Sequence, residues 1–199
     1  MTYAWQAGMI PGGDILETRG GHIVRYPAEL EKHWEAGGEP LTIRAIRPED
    51  VPAHVAFFHR LSPEDVRHRF FVAVHELTPD QLDRFTRLDY ERHMAFIAVR
   101  EATGETVGVA RLAREEDNPT EGEFAVAVQP DVRGRGLAKH LMQRLLQWAA
   151  GRGVQEVVGE ILADNREMLA LARGLGFRLQ HSVADAGVIE ARLSLPVPA

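Results

Sequence analysis

The stretch that decides the reading is EGEFAVAVQPDVRGRGLAKHLMQRLLQWA, residues 121–149. Apolar and small side chains alternate from Glu121 to Val128, the period of a β-strand, and a Pro-Asp turn follows. Beyond Gly136, Leu137, Leu141, Leu145 and Ala149, with Met142 and Leu146 beside them, keep the spacing of one helical face. Between strand and helix lies Arg133-Gly134-Arg135-Gly136-Leu137-Ala138-Lys139. Two glycines there let the backbone turn tightly, so that amide N–H groups of the loop and of the first helical turn converge where the helix dipole favours an anion. With Arg133, Arg135 and Lys139 nearby, the segment reads as a pyrophosphate cradle. A glycine-rich turn with solvated arginines is the plainer alternative. A Walker loop is excluded because His140, not serine or threonine, follows Lys139. A dinucleotide fingerprint wants glycine at position 139 and an early βαβ unit.

Outward from this stretch, "VQEVVGEIL" is a strand, "NREMLALARGLG" an amphipathic helix stopped by glycine, and "FRLQHSV" with "VIEARLSL" a closing pair of strands. Upstream, "HMAFIAVRE" and "TVGVARLAR" flank a turn and read as a hairpin, and "LTIRAIR" alternates as a first strand. "SPED" and "TPDQ" repeat a helix-start signal of cap, proline and acid or amide. The resulting order predicts an α/β (α+β) chain with a mixed sheet and helices on its faces. Residues 1–40 are rich in glycine and are expected to be an N-terminal extension, with two or three helical turns in "YPAELEKHWEA"; residues 41–199 form the main domain.

Lys and Arg number 23 against 29 for Asp and Glu, a net charge of −6, which disfavours broad nucleic-acid binding and requires any anionic ligand to find a local basic pocket. No apolar run approaches the roughly 20 residues of a membrane span. The N-terminus lacks the pattern of a secretory signal, and a cytoplasmic location is expected. The absence of cysteine excludes disulfides, thiolate metal sites and acyl transfer through a thiol. The nine histidines lack the paired spacing of a metal-binding helix, so no metal site is expected.

The glycine loop resembles the acetyl-coenzyme A signature of the GNAT acetyltransferase superfamily, and it fits in two registers, from Arg133 or from Asp131. "IRAIRPED", the strand before the loop and "DNREMLALARGLGF" extend the resemblance over residues 41–195. "YPAELE", "EFAVAV" and "NREM" are similar to the acetyltransferase domain of bacterial protein lysine acetyltransferases, the Pat group. The resemblance implies the GNAT fold, with a central, mostly antiparallel sheet flanked by helices. It also implies acetyl-CoA as co-substrate and a protein lysine as foremost acceptor, with a small amine (polyamine or amino sugar) or a non-catalytic acyl-CoA-binding module as alternatives.

Lysine at neutral pH is deprotonated in about one molecule in a few thousand, so aminolysis of a thioester needs a base. Glu121, Glu123 and Asp131 are the acids near the loop. In an extended strand Glu123 shares a face with Ala125 and Ala127, leaving a shallow groove beside its carboxylate. The resemblance implies Glu123 as that base, backbone contacts to the coenzyme from Val126 and Val128, and a pantetheine contact from Asn165, whose plainer reading is a helix cap. The tyrosine that many relatives place seven residues beyond that asparagine is Ala172 here. The segment "RHRFF", residues 67–71, is expected to place Phe70 and Phe71 in the core, with an acceptor-groove role as its alternative.

Overall fold

A computed structural model describes residues 16–19 and 22–196. Strands β1 (Leu16–Arg19) and β2 (His22–Arg25) pair as a separate antiparallel ribbon. The main sheet contains β3 (Lys32–Ala36), β4 (Glu39–Ala45), β5 (Met94–Arg100), β6 (Thr106–Ala113), β7 (Glu121–Val128), β8 (Glu156–Leu162), β9 (Arg178–His181) and β10 (Val188–Ser194). Its order is β3-β4-β5-β6-β7-β8-β10-β9, antiparallel throughout except between β7 and β8. Helices α1 (Val51–His59), α2 (Pro63–Phe70) and α3 (Pro79–Thr86) follow β4, α4 (Leu137–Gly151) joins β7 to β8, and α5 (Arg166–Gly174) joins β8 to β9. The mixed sheet flanked by helices is the architecture that the alternation pattern predicts.

Local chemistry accounts for the element boundaries. Ser62 Oγ accepts from the Asp65 N–H at 3.1 Å while the Asp65 carboxylate accepts from the Ser62 N–H, and Thr78 and Gln81 repeat this reciprocal cap on α3. Proline follows each cap, where its missing N–H costs nothing. Helix α4 buries Leu137, Leu141, Met142 and Leu145 completely, and each such side chain contributes roughly 1.5–3 kcal/mol relative to exposure.

The sheet also takes in residues upstream of Leu41 that the sequence assigns to an extension. "YPAELEKHWEA" is not helical beyond a single 3-10 turn at Ala28–Leu30; its second half is β3, paired with β4 from Lys32–Ile43 to Ala36–Glu39. Tyr26 and Ala36 are buried, and the Tyr26 hydroxyl donates to the Ala45 carbonyl at 3.0 Å. Pairing with an open strand edge here outweighs helix propensity, which is a weak prior for so short a segment. Residues 1–15 of the expected extension lie outside the described residues.

Candidate active site

Strands β7 and β8 run parallel for only three residue pairs, Glu121–Glu156, Gly122–Val157 and Glu123–Val158, and then part. Backbone direction along β7 follows from its neighbours. The Gln129 N–H donates to Val107 on the β6 side, and the Thr120 carbonyl accepts from Gln155 on the β8 side. Because N–H and C=O directions alternate along a strand, Val126 and Val128 present their backbone groups to the widening gap. The buried Gln129 side chain fixes the end of β7 by donating to the Phe57 carbonyl of α1 at 2.8 Å.

The gap opens into a cleft of about 900 Å³ whose walls include β7 from Glu123 to Val128, the C-terminal half of α2, the start of α4, and Asp164 to Met168 at the start of α5. At its α4 end, Gly134 and Gly136 have φ of +72° and +83°, a region that residues with a Cβ rarely enter. No side chain caps α4, and its first internal bond runs from the His140 N–H to the Gly136 carbonyl. The N–H groups of Leu137, Ala138 and Lys139 therefore lack partners within the helix and point out of its positive end. Gly134, Gly136, Leu137, Ala138 and Lys139 all line the cleft.

The two arginines of the loop are engaged elsewhere. Arg133 lines the cleft mouth, but its guanidinium bonds the Asp65 carboxylate and, at 3.3 Å, the Val128 carbonyl. It thereby ties the cap of α2 to the end of β7. Arg135 turns away to pair with Glu39 at 3.0 Å, its aliphatic stem running past Gly37, and it does not line the cleft. What this turn leaves open to the cleft is the set of main-chain donors at the start of α4, with Lys139 beside them.

The three acids differ in their surroundings. Glu121 is 3.5 Å from Arg192, and Asp131 bonds Arg100. Glu123 is exposed on the cleft wall, and among the described residues no hydrogen bond or ion pair engages its carboxylate. Its small neighbours Ala125 and Ala127 lie on the same face, as the strand period requires, whereas Phe124 and Val128 are buried and Val126 is half-buried. Asn165 both lines the cleft and caps α5, its Oδ1 accepting from the Met168 N–H at 3.1 Å. Ala172 is fully buried and offers no proton.

Helix α2 carries most of the segment 67–71, expected to place its aromatic rings in the core with an acceptor-groove role as the alternative. Arg67 and His68 both bond Asp164, the latter at 3.2 Å, linking α2 to the β8–α5 loop across the cleft. Phe70 is half-buried on the cleft wall and Phe71, with φ of +64°, is 36% exposed, so the expectation of a core Phe71 fails. The left-handed turn that ends α2 at Phe71 swings its ring outward, and sequence periodicity carries no signal of that turn.

A parallel break in an otherwise antiparallel sheet thus opens a cleft faced by main-chain donors at a helix start. The sequence matches the Acetyltransferase (GNAT) domain family over residues 40–178, and the chain belongs to that family, whose co-substrate is acetyl-CoA. It is 34% identical over 170 residues to an acetyltransferase of Pseudomonas aeruginosa, covering 82% of this chain and 90% of that protein. It is 30% identical over 159 residues to the acetyltransferase Pat of Mycolicibacterium smegmatis, covering 80% of this chain and 47% of the relative. The crystal structure of the GNAT domain of S. lividans PAT superposes with a TM-score of 0.79 at 26% identity, covering 85% of this chain and 99% of that one.

Proposed function

We propose that this chain moves the acetyl group of acetyl-CoA directly to a primary amine, the side chain of a protein lysine, with Glu123 as general base. The observation that carries the reading is the Glu123 carboxylate on the wall of the cleft, which has no hydrogen-bond or ion-pair partner among the described residues, whereas the two other nearby acids are already paired. The resemblance of the whole domain to proteins named Pat supports the lysine acceptor, and a cytoplasmic location belongs to the same proposal.

The cleft fits the coenzyme. The main-chain N–H groups of residues 137–139, with Lys139, hold the diphosphate. Val126 and Val128 hold the pantetheine arm by hydrogen bonds of the kind a neighbouring strand would make, and Asn165 flanks it. Bound acetyl-CoA supplies an acetyl thioester. Glu123 takes a proton from the incoming ammonium, directly or through one water, and leaves a neutral amine able to attack. The Val126 N–H stabilises the charge that develops on the thioester oxygen. As the intermediate collapses the C–S bond breaks, and the departing thiolate of coenzyme A takes the proton that the acetylated nitrogen sheds, a thiol pKa near about 8.5 making it a ready leaving group. Arg133 acts as a strut, keeping β7, the loop and α2 in register.

The test is Glu123→Gln. Acetyl-CoA affinity by calorimetry should stay within error, while amine-dependent thiol release should fall about 10²–10⁴-fold. Full turnover in this variant removes Glu123 from the role, and thiol release from neither protein with any amine supports a binding module instead.

A further inference from the structure

Below Glu123 the same face of β7 carries a charge that the transfer reaction leaves unexplained. Ala125 and Ala127 floor a small cavity of about 30 Å³ that adjoins the cleft, ringed by His54, Arg69, Arg111 and apolar side chains and by no acid. Arg111 donates to the Phe85 carbonyl at 3.1 Å and lies over the Phe85 ring at 4.2 Å. Arg69, on the last turn of α2, lines both cavity and cleft. Its guanidinium lies 4.9 Å over the Phe70 ring, and among the described residues it has no hydrogen-bond or salt-bridge partner. Burial lowers both arginines from their usual range; Arg69 depresses Arg111 further, and Glu123 alone counters this at Arg69. His54, buried and held near pKa 4, is neutral at ordinary pH.

Glu123 is the one carboxylate whose charge is felt at Arg69, and that carboxylate is the proposed base. When Glu123 accepts a proton, the local charge rises to two positives with no anion. A half-buried charge without a partner is costly, and a polycationic acceptor would worsen the imbalance. An acceptor that carries its own anion would correct it. Resting on the reading above, we propose that Arg69 is an acceptor-specificity residue: it receives a carboxylate that the acceptor presents beside its reacting amine. That carboxylate is the side chain of an acidic residue adjacent to the substrate lysine, or the α-carboxylate of a free amino acid. Arg111 backs Arg69 electrostatically from below, and the exposed ring of Phe71 lines the cleft on the far side of Phe70 in the chain.

The experiment measures thiol release with acetyl-CoA and matched acceptors, comparing the protein with Arg69→Gln and Arg69→Lys. One pair is a peptide with glutamates flanking a single lysine and the same peptide with glutamines. The other is a set of free amino acids and their amides. The carboxylate-bearing member of one pair should be preferred by roughly 10- to 100-fold in KM, the range of a charged hydrogen bond, with kcat moved little. The ratio should collapse to near one in Arg69→Gln and recover in part in Arg69→Lys. The pair that shows the preference names the source of the carboxylate. Equal rates within both pairs, or a preference that survives Arg69→Gln, overturns the assignment while leaving amine acetylation intact. No thiol release with any acceptor overturns both.

Discussion

Replacing Gly159 by alanine should damage the fold and the cleft together. Gly159 is the first residue of β8 beyond its last rung with β7, and Phe124 lies against it. A Cβ at position 159 would stand 2.4 Å from Phe124 Cε1, 2.8 Å from Cδ1 and 2.9 Å from Cζ. Ordinary carbon contacts are about 3.5–4.0 Å, so the ring must retreat by about 1 Å. Behind it lies Phe177, buried, with ring centroids 5.0 Å apart. Such overpacking costs roughly 1–3 kcal/mol, and at about 2–4 °C per kcal/mol for a chain of this size the melting temperature should fall about 2–12 °C. Because Phe124 sits between Glu123 and the residues that face the gap, acetyl-CoA affinity should weaken as well. Differential scanning calorimetry and titration of acetyl-CoA read the two effects. Phe124→Leu in the same chain should restore part of the loss, giving a coupling of about 0.5–3 kcal/mol between the two positions. Unchanged melting and unchanged affinity in Gly159→Ala would refute the packing described for this junction.

Other expectations follow from single residues. His54 is held near pKa 4 chiefly by burial, with the charges of Arg111 and Arg69 adding to it. The unfolded chain binds a proton there below about pH 6.5. Stability should therefore be complete above that pH and fall as pH drops towards 4, by roughly 3 kcal/mol from this group, and His54→Phe should flatten that stretch of a melting-versus-pH curve. Asp50→Asn breaks the buried pair with Arg44, whose two bonds are 2.6 and 2.7 Å, and should cost about 3–5 kcal/mol in denaturant unfolding because an unpaired guanidinium remains. Gly136→Ala forces φ of +83° on a residue with a Cβ, at a cost of about 1–2 kcal/mol; its acetyl-CoA Kd by calorimetry should rise more than its melting temperature falls. Arg133→Ala should raise the KM for acetyl-CoA with little loss of its salt dependence, because Arg133 braces β7 and α2; a flattened salt dependence would make it a phosphate ligand after all.

Much of this architecture is legible in the chain because it is written in short range. The alternation of residues 121–128, the helical spacing from Leu137 to Ala149 and the caps at Ser62 and Thr78 each need only a few neighbours to be read. The turn at Gly134 and Gly136 is legible for the same reason, since two closely spaced glycines after a strand announce backbone that other residues avoid. What escaped is set by distant partners. Asp65 is 68 positions from Arg133, Glu39 is 96 from Arg135 and Asp164 is 97 from Arg67, and no local pattern links them. The arginines of the loop consequently read as phosphate ligands, although folding brings them acidic partners first. The strand at Lys32–Ala36 was hidden similarly, because its form is decided by the free edge of β4. For Arg69 the segment RHRFF offered an acceptor-groove role only as its alternative, and Arg111 carried no signal, since their isolation from acids emerges only once α2, β6 and β7 are packed together.

Five strands, β3 to β7, lie on one side of the parallel junction and three, β8, β10 and β9, on the other, joined along the sheet by three rungs. The eight strands therefore behave as two panels meeting at a seam, and sub-global opening should begin there. A coenzyme bonded to Val126 and Val128 would act as a suture across that seam. Its binding would then be felt as slowed amide exchange along β8 and β10, far beyond the atoms it touches.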